Sequence, residues 1–141
     1  MPRRDASHLY GAEHVRSYRE TDGELGHDWK GTQTLLLTTK GRRSGELRTT
    51  PLIYGRRGDD HLIVASDGGS PEPPTWYLNL SANPEVEVQV LADRFRARAR
   101  TATPEEKPAL WREMVSHWPA YDRYQQRTDR EIPVVVLERI E

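Results

Sequence analysis

The chain contains no cysteine, which removes disulfides, thiol nucleophiles and thiolate zinc sites from consideration together. Its five histidines, His8, His14, His27, His61 and His117, are scattered, with no HExxH and no pair at helical ligand spacing, so no metal is expected. Long apolar runs are also missing. Nothing approaches the roughly 20 residues of a membrane span, and the charged opening Met1–Asp5 is followed by no apolar core of signal-peptide length. The expectation is a cytoplasmic protein without stable membrane insertion. An excess of charge of one sign is lacking as well: the formal net charge is -1, which supplies no global field for nucleic acid, so electrostatic recognition has to come from a local cluster. Neither GxGxxG after a strand nor a Walker lysine loop occurs, which argues against a Rossmann or P-loop architecture.

What is present fits one folded unit. At 141 residues the chain is long enough to bury a core and short for two domains, so residues 1–141 are read as a single domain. From His8 to Arg19, Leu9, Ala12, Val15 and Tyr18 recur every third position, predicting a short helix (about 8–20) that Thr21-Asp22-Gly23 ends and that caps one side of a sheet. Thr34–Thr39 reads as a strand, Gly41–Gly45 as a hairpin turn and Leu47–Tyr54 as its partner. A polar turn, Arg56–Asp60, leads to His61–Ser66 as the third strand of a meander. Gly68–Pro74 is a loop, since its prolines lack donors. Thr75–Ala82 reads as a helix with Thr75 at its N-cap. Glu85–Leu91 and Arg94–Thr101 alternate polar and apolar residues as half-buried strands do. Thr103–Glu106 starts a helix running to Trp118-Pro119, Ala120–Arg127 is a shorter one, and Pro133–Ile140 is the last strand. About six antiparallel strands with peripheral short helices predict a mainly β or α+β fold, in which the sheet curls into a small barrel or half-barrel to remove its edges.

The chemistry is concentrated between Leu35 and Asn79. Arg42, Arg43 and Ser44 make a cationic, donor-rich turn, with Arg48 on the next strand, suited to a phosphate or polycarboxylate tail. Thr49, Thr50 and Pro51 offer hydroxyls and backbone groups beside a ring, Ser66–Gly68 offer N–H donors, and Trp76-Tyr77-Leu78-Asn79 can wall a pocket. Each element has an ordinary alternative: a wet hairpin turn, a loop, a pair of core aromatics. Together they favour a cofactor site.

These residues resemble the deazaflavin-dependent nitroreductase family, split β-barrel proteins that use the 8-hydroxy-5-deazaflavin coenzyme F420. The resemblance rests on Leu36-Leu37-Thr38-Thr39 running into Gly41-Arg42-Arg43-Ser44-Gly45, and on Ala65-Ser66 before Gly68-Gly69. It continues through Trp76-Tyr77-Leu78-Asn79-Leu80 with Ala82-Asn83-Pro84, Trp118-Pro119-Ala120-Tyr121, and Thr128-Asp129-Arg130-Glu131-Ile132-Pro133. The resemblance implies that Arg42, Arg43, Ser44 and Arg48 grip the coenzyme's phosphate and glutamate tail. It implies that Thr49, Thr50, Pro51, Val64, Ala65, Ser66, Asp67, Thr75, Trp76, Tyr77, Leu78 and Asn79 line the ring. Trp118, Tyr121 and Tyr124 match the aromatic positions on the substrate side, with Tyr121 the candidate catalytic hydroxyl. The implied reaction is hydride transfer from the reduced coenzyme to a small quinone, nitroaromatic or activated alkene. Two departures stand out: Asp67 occupies a position often held by lysine, and Met1–Tyr18 is short and polar where some members have a longer apolar helix.

Three other readings compete. An FMN-binding split-barrel reductase needs fewer arginines than this turn supplies, a non-catalytic coenzyme carrier needs no substrate pocket, and a nucleic-acid barrel would use Arg94, Arg96, Arg98 and Arg100. The solvated outer face of a strand is the ordinary explanation of that arginine ladder. Monomer and homodimer are both compatible with the sequence.

Overall fold

Three consecutive leucines in one strand require cover on both faces. In the computed structural model, which describes residues 6–140, Leu35 and Leu37 enter the main core while Leu36 packs under Val15 and Tyr18 of the N-terminal helix. The charged Met1–Asp5 opening lies outside the described residues. The elements in chain order are α1 (Gly11–Thr21), β1 (Asp28–Trp29), β2 (Thr32–Lys40), β3 (Leu47–Ile53), β4 (Gly55–Arg57), β5 (Asp60–Val64), α2 (Thr75–Ala82), β6 (Glu85–Val90), β7 (Asp93–Thr101), α3 (Lys107–His117), α4 (Ala120–Gln126) and β8 (Val134–Arg139).

All strand pairings are antiparallel, in the order β1-β2-β6-β7-β8-β5-β4, with β3 also on β2. Because β3 and β4 are separated by Tyr54 alone, the sheet curls back on itself through that one run of chain: β3 pairs β2 and β4 pairs β5. The six expected strands are all present; β1 and β4 are additions of two and three residues. The three-strand meander needs correction, since His61–Val64 pairs with β4 and β8 and has no ladder with β3. A strand has two edges, and the chain spends them by changing partner at Tyr54. Gly55 allows the close approach this needs, as a Cβ there would lie 2.8 Å from Met114 Sδ on α3. His27 pins the switch. Its Nδ1 lies 3.0 Å from the Asp28 carboxylate, which only accepts, so Nδ1 carries the proton and Nε2 accepts from the Tyr54 hydroxyl at 2.9 Å.

Besides the small cluster of Val15, Tyr18 and Leu36, two larger apolar clusters are present. Leu35, Leu37, Ile63, Phe95, Val135 and Leu137 belong to the main core, with Trp76 and Leu80 of α2. The alternate residues of β5 and β8, Leu62, Val64, Val134 and Val136, form a second cluster with Leu110 and Met114 of α3 and Tyr121 of α4. The arginine ladder of β7 is an outer face: Phe95, Ala97 and Ala99 are buried between Arg94 (to Asp22, 3.1 Å), Arg96 (to Glu85) and Arg100 (to Glu138, 3.2 Å). Such exposed pairs contribute at most about 1 kcal/mol each.

Helix ends differ in detail from expectation. α1 starts at Gly11 and stops at Asp22, which takes a left-handed φ of 49°. Thr75 is the first residue of α2 and not its cap. Pro74 holds the cap position, its carbonyl accepting from the N–H of Tyr77 and of Leu78, with no side-chain bond to the turn. Thr103 and Glu106 form a reciprocal capping box before α3, the Thr103 N–H donating to Glu106 at 2.8 Å and the Glu106 N–H to the Thr103 hydroxyl at 3.3 Å. Among the described residues no helix is long and apolar enough to cross a membrane.

Candidate functional site

A cavity of about 460 Å³ lies where β3, the end of β5, α2 and the two flanking helical segments converge. Its floor is Thr50, Pro51, Leu52 and Ile53 of β3, Val64 of β5, and Ser66, Asp67 and Gly68 beyond it, with Pro74 and Trp76 at one side. Leu9, Tyr10, Gly11, His14 and Trp29 form one wall, and Trp118, Tyr121 and Tyr124 form the other. The walls meet: the Trp29 and Trp118 rings are 5.9 Å apart at 35°. Tyr10 stands edge-on to Trp29 at 5.7 Å, and Tyr121 edge-on to Tyr124 at 6.1 Å. Trp29 Nε1 donates to the Leu9 carbonyl at 3.0 Å, and Trp118 Nε1 to the Tyr124 hydroxyl at 3.2 Å.

The loop after β5 is shaped by backbone that favours glycine. Asp67, Gly68 and Gly69 have φ of 45°, 64° and 85°. A Cβ on Gly69 would sit 2.6 Å from the Tyr124 carbonyl oxygen, so this glycine lets α4 close over the loop. Gly69 N–H bonds the Ser66 carbonyl and Ser70 N–H the Asp67 carbonyl. The N–H groups of Asp67 and Gly68 donate to no described residue, and both residues border the cavity. Arg130 holds the loop from beneath, donating to the carbonyls of Ser70 (2.9 Å), Ala65 (3.2 Å) and Ser66 (2.7 Å), while Arg127 reaches the Gly68 carbonyl at 3.2 Å.

Of the residues expected from the sequence, Thr50, Pro51, Val64, Ser66, Asp67, Trp76, Trp118, Tyr121 and Tyr124 come together around this cavity. Others lie outside its lining. Thr49 faces α1, its hydroxyl 2.7 Å from that of Thr38 and accepting from Arg19 at 2.8 Å, because neighbouring strand residues point to opposite faces. Ala65 is sealed in the core and Thr75 is exposed. Tyr77 is 2.8 Å, hydroxyl to hydroxyl, from Thr101, and Leu78 is half-buried. Asn79 is buried; its Oδ1 accepts from the Arg42 backbone N–H at 3.1 Å and its Nδ2 donates to Thr39 Oγ1 at 3.4 Å.

Asn79 thereby ties the arginine turn to α2. Arg42, Arg43, Ser44 and Arg48 are all exposed. Arg48 faces Glu46 loosely at 3.6 Å, whereas Arg42 and Arg43 have no acidic partner among the described residues. Asn79 is three positions beyond Trp76, about 4.5 Å of helical rise, so a ligand leaving the cavity along α2 meets the turn.

Burial pushes the Tyr121 ionisation well above the ordinary tyrosine value, with Tyr124 adding to the shift. The hydroxyl therefore stays protonated at neutral pH, and it bonds to no described residue. Burial lowers the His14 pKa, opposed by the bond to the Gly26 carbonyl. His61 is pushed down to about 4 by burial and then by Arg56; its Nδ1 is sealed without a partner among the described residues. Sequence reasoning missed Tyr10, His14, Trp29 and Arg130. The Tyr10–Gly11 and Trp29–Lys30–Gly31 pairings of aromatic and glycine hinted at the first wall, whereas His14 lies off the every-third-residue stripe assigned to the helix. No group of three or more His, Cys, Asp or Glu suited to a metal ion occurs among the described residues.

A curled antiparallel sheet with short helices and an aromatic-walled cavity beside a cationic turn is the architecture of split-barrel reductases. The chain belongs to the F420H(2)-dependent quinone reductase family, whose model matches residues 10–139, and membership carries coenzyme F420 with it as the cofactor. An F420H(2)-dependent quinone reductase of Mycobacterium tuberculosis is 47% identical over 131 residues, covering 89% of this chain and 87% of that protein. A solved structure described as a domain-swapped dimer is 37% identical with a TM-score of 0.72, covering 88% of this chain and 96% of the other. The F420-H2 dependent reductase FDR-A is 40% identical with a TM-score of 0.69, covering 74% and 93%.

Proposed function

We propose that the chain binds reduced coenzyme F420 with its ring in the aromatic-walled cavity and its anionic tail along Arg42, Arg43, Ser44 and Arg48, and reduces a quinone held against Trp118, Tyr121 and Tyr124. The observation that carries this reading is the continuity of α2, which borders the cavity through Trp76 and fastens the arginine turn through Asn79. The Arg42 and Arg43 guanidinium groups, without acidic partners among the described residues and one helical turn from a cavity built of ring faces, suit a flat molecule with a negatively charged tail.

When bound, the reduced coenzyme supplies the hydride; the acceptor takes up that hydride and a proton and becomes a hydroquinone. The chain's part is to bind and orient. The Thr50 and Ser66 hydroxyls and the N–H groups of Asp67 and Gly68 are donors suited to ring carbonyls. Tyr121, kept neutral by burial, donates a hydrogen bond to the oxygen on which negative charge grows, a stabilisation that burial strengthens. The paired tryptophans restrict water above the ring. Nitroaromatics and activated alkenes fall within the same reading, being flat and electron-poor. Asp67 puts a hydrogen-bond acceptor at the cavity edge, which disfavours anionic substrates. The similar domain-swapped dimer makes a homodimer the assembly to test by sedimentation, and a cytoplasmic location belongs to the same reading.

The experiment is a fluorescence titration of the purified protein with oxidised F420 and separately with FMN, followed by menadione added to the reduced F420 complex. Tight F420 binding and coenzyme reoxidation are expected. FMN binding alone, or binding of neither, overturns the proposal.

A further inference from the structure

His14 stands on the cavity wall opposite Tyr121's helix, in a part of the chain that neither the arginine turn nor the ring contacts involve. Its side chain is 3% exposed, and its two ring nitrogens are in different situations. Nε2 lies 2.7 Å from the Gly26 carbonyl oxygen, which has no proton to give, so Nε2 is the protonated nitrogen and the donor. The Thr34 hydroxyl, 3.4 Å from the same nitrogen, donates to that carbonyl at 2.6 Å and reinforces the assignment. Nδ1 is then a bare lone pair. It has no hydrogen-bond partner among the described residues, and His14 is part of the cavity lining.

Burial lowers the His14 pKa, so the imidazole stays neutral near pH 7 and Nδ1 stays an acceptor. This sets it apart from the other polar groups around the cavity. The hydroxyls of Thr50, Ser66 and Tyr121 and the N–H groups of Asp67 and Gly68 can all donate. A quinone offers acceptors only, so Nδ1 has nothing to bond in it; a hydroquinone offers hydroxyl protons.

We propose that His14 is a ligand-contacting residue whose Nδ1 accepts a hydrogen bond from an aromatic hydroxyl of the reduced acceptor. The inference rests on the reading of this cavity as the place where the acceptor meets the coenzyme's ring. Reduction converts a carbonyl oxygen into a hydroxyl, so this contact is absent with the substrate and forms as the reaction proceeds, favouring the forward direction and holding the product. The preferred acceptor class is a quinone that turns the oxygen becoming a hydroxyl toward α1, with its other oxygen toward Tyr121.

The test compares 1-naphthol, a redox-inert phenol, with 1,4-naphthoquinone by calorimetric titration, with and without saturating oxidised F420. His14→Gln retains an amide donor for Gly26 and loses the acceptor at the Nδ1 position, whereas His14→Asn places an amide near that position. The expected result is that His14→Gln lowers the affinity for 1-naphthol relative to 1,4-naphthoquinone about tenfold, the worth of one hydrogen bond, and that His14→Asn recovers part of the loss. Equal weakening of both ligands, or none, reduces His14 to packing and overturns the proposal. A loss of F420 affinity with an unchanged naphthol-to-quinone ratio assigns the contact to the coenzyme's own hydroxyl and overturns it equally. If the wild-type protein binds no F420, the proposed function fails, while the ratio measured without coenzyme still decides the role of His14.

Discussion

Removing the Arg130 guanidinium should loosen the floor of the cavity without touching its lining. The side chain is half-buried and donates three hydrogen bonds, at 2.7, 2.9 and 3.2 Å, to the carbonyls of Ser66, Ser70 and Ala65. A bond from a charged donor is worth about 1.5–3 kcal/mol. The carbonyls regain water when the donor is lost and the segment can open locally, so the net loss for Arg130→Met is about 2–4 kcal/mol. Methionine retains most of the apolar stem, which isolates the guanidinium from packing. If the whole cost falls on global stability, the melting temperature drops by roughly 6–12 °C in a domain of this size. If it falls on the loop alone, the melting temperature moves little and F420 affinity drops by at least tenfold, because binding must first restore the Ser66–Gly68 conformation. Arg130→Lys, with one ammonium in place of the fork, should lie between. Thermal denaturation and a fluorescence titration on the same samples separate the two cases. A melting temperature within 1 °C of wild type together with an affinity within about twofold refutes the clamp.

Arg43→Ala should weaken F420 binding by roughly 1–3 kcal/mol with an unchanged melting temperature, since Arg43 has no acidic partner among the described residues; equal affinity in a titration removes it from the tail site. Tyr121→Phe should slow menadione turnover more than it weakens F420 binding and should not destabilise the fold, since the hydroxyl bonds to no described residue; unchanged steady-state rates with several quinones leave Tyr121 as packing. With its ionisation raised by burial, Tyr121 contributes stability that is complete below about pH 10 and is lost as pH rises further. His61 gives the opposite dependence. Its folded pKa of about 4 lies below the ordinary 6.5, so its contribution is complete above pH 6.5 and is lost as pH falls through 4, by roughly 3 kcal/mol. His61→Phe should flatten that acid limb in melting curves, and an identical limb in the variant shows that other groups cause it.

How much of this was legible depends on whether the signal is local. Strand alternation in Glu85–Val90 and Asp93–Thr101 is written residue by residue, and both strands were read directly. The six principal strands and the curled sheet followed from counting such segments. The partner of β5 did not, because pairing is a long-range property: β5 joins β8, some seventy residues on, and the sheet closes through a change of partner at Tyr54 that no periodicity reports. Thr75 looked like a cap by residue type, yet the preceding Pro74 already fixes an extended conformation ahead of the helix. At the site, Thr50, Ser66, Trp76 and Tyr121 were found as hydroxyls and aromatics in a recognised order. Tyr10, His14 and Trp29 were not, because they reach the cavity only once α1 has docked on β2. Thr49 was read with Thr50 and Pro51 as one stretch of strand beside the ring, although strand geometry sends the side chains of Thr49 and Thr50 to opposite faces.

The contact between Trp29 and Trp118 has a consequence for how such a protein can diversify. Trp29 lies early in the chain and Trp118 near its end, and both stand outside the stretch from Thr50 to Asn79 that, on the proposed reading, carries the floor of the cavity and leads to the arginine turn. On that reading one region of the gene specifies most of what holds the electron donor, and two distant regions, meeting only in the folded molecule, specify what receives the electrons. Exchanging residues in either wall alters the shape and polarity offered to an acceptor while the coenzyme's seat keeps its wording. A lineage of such proteins can spread across many acceptors by paired change at the two ends of the chain, each end acting as a constraint on the other.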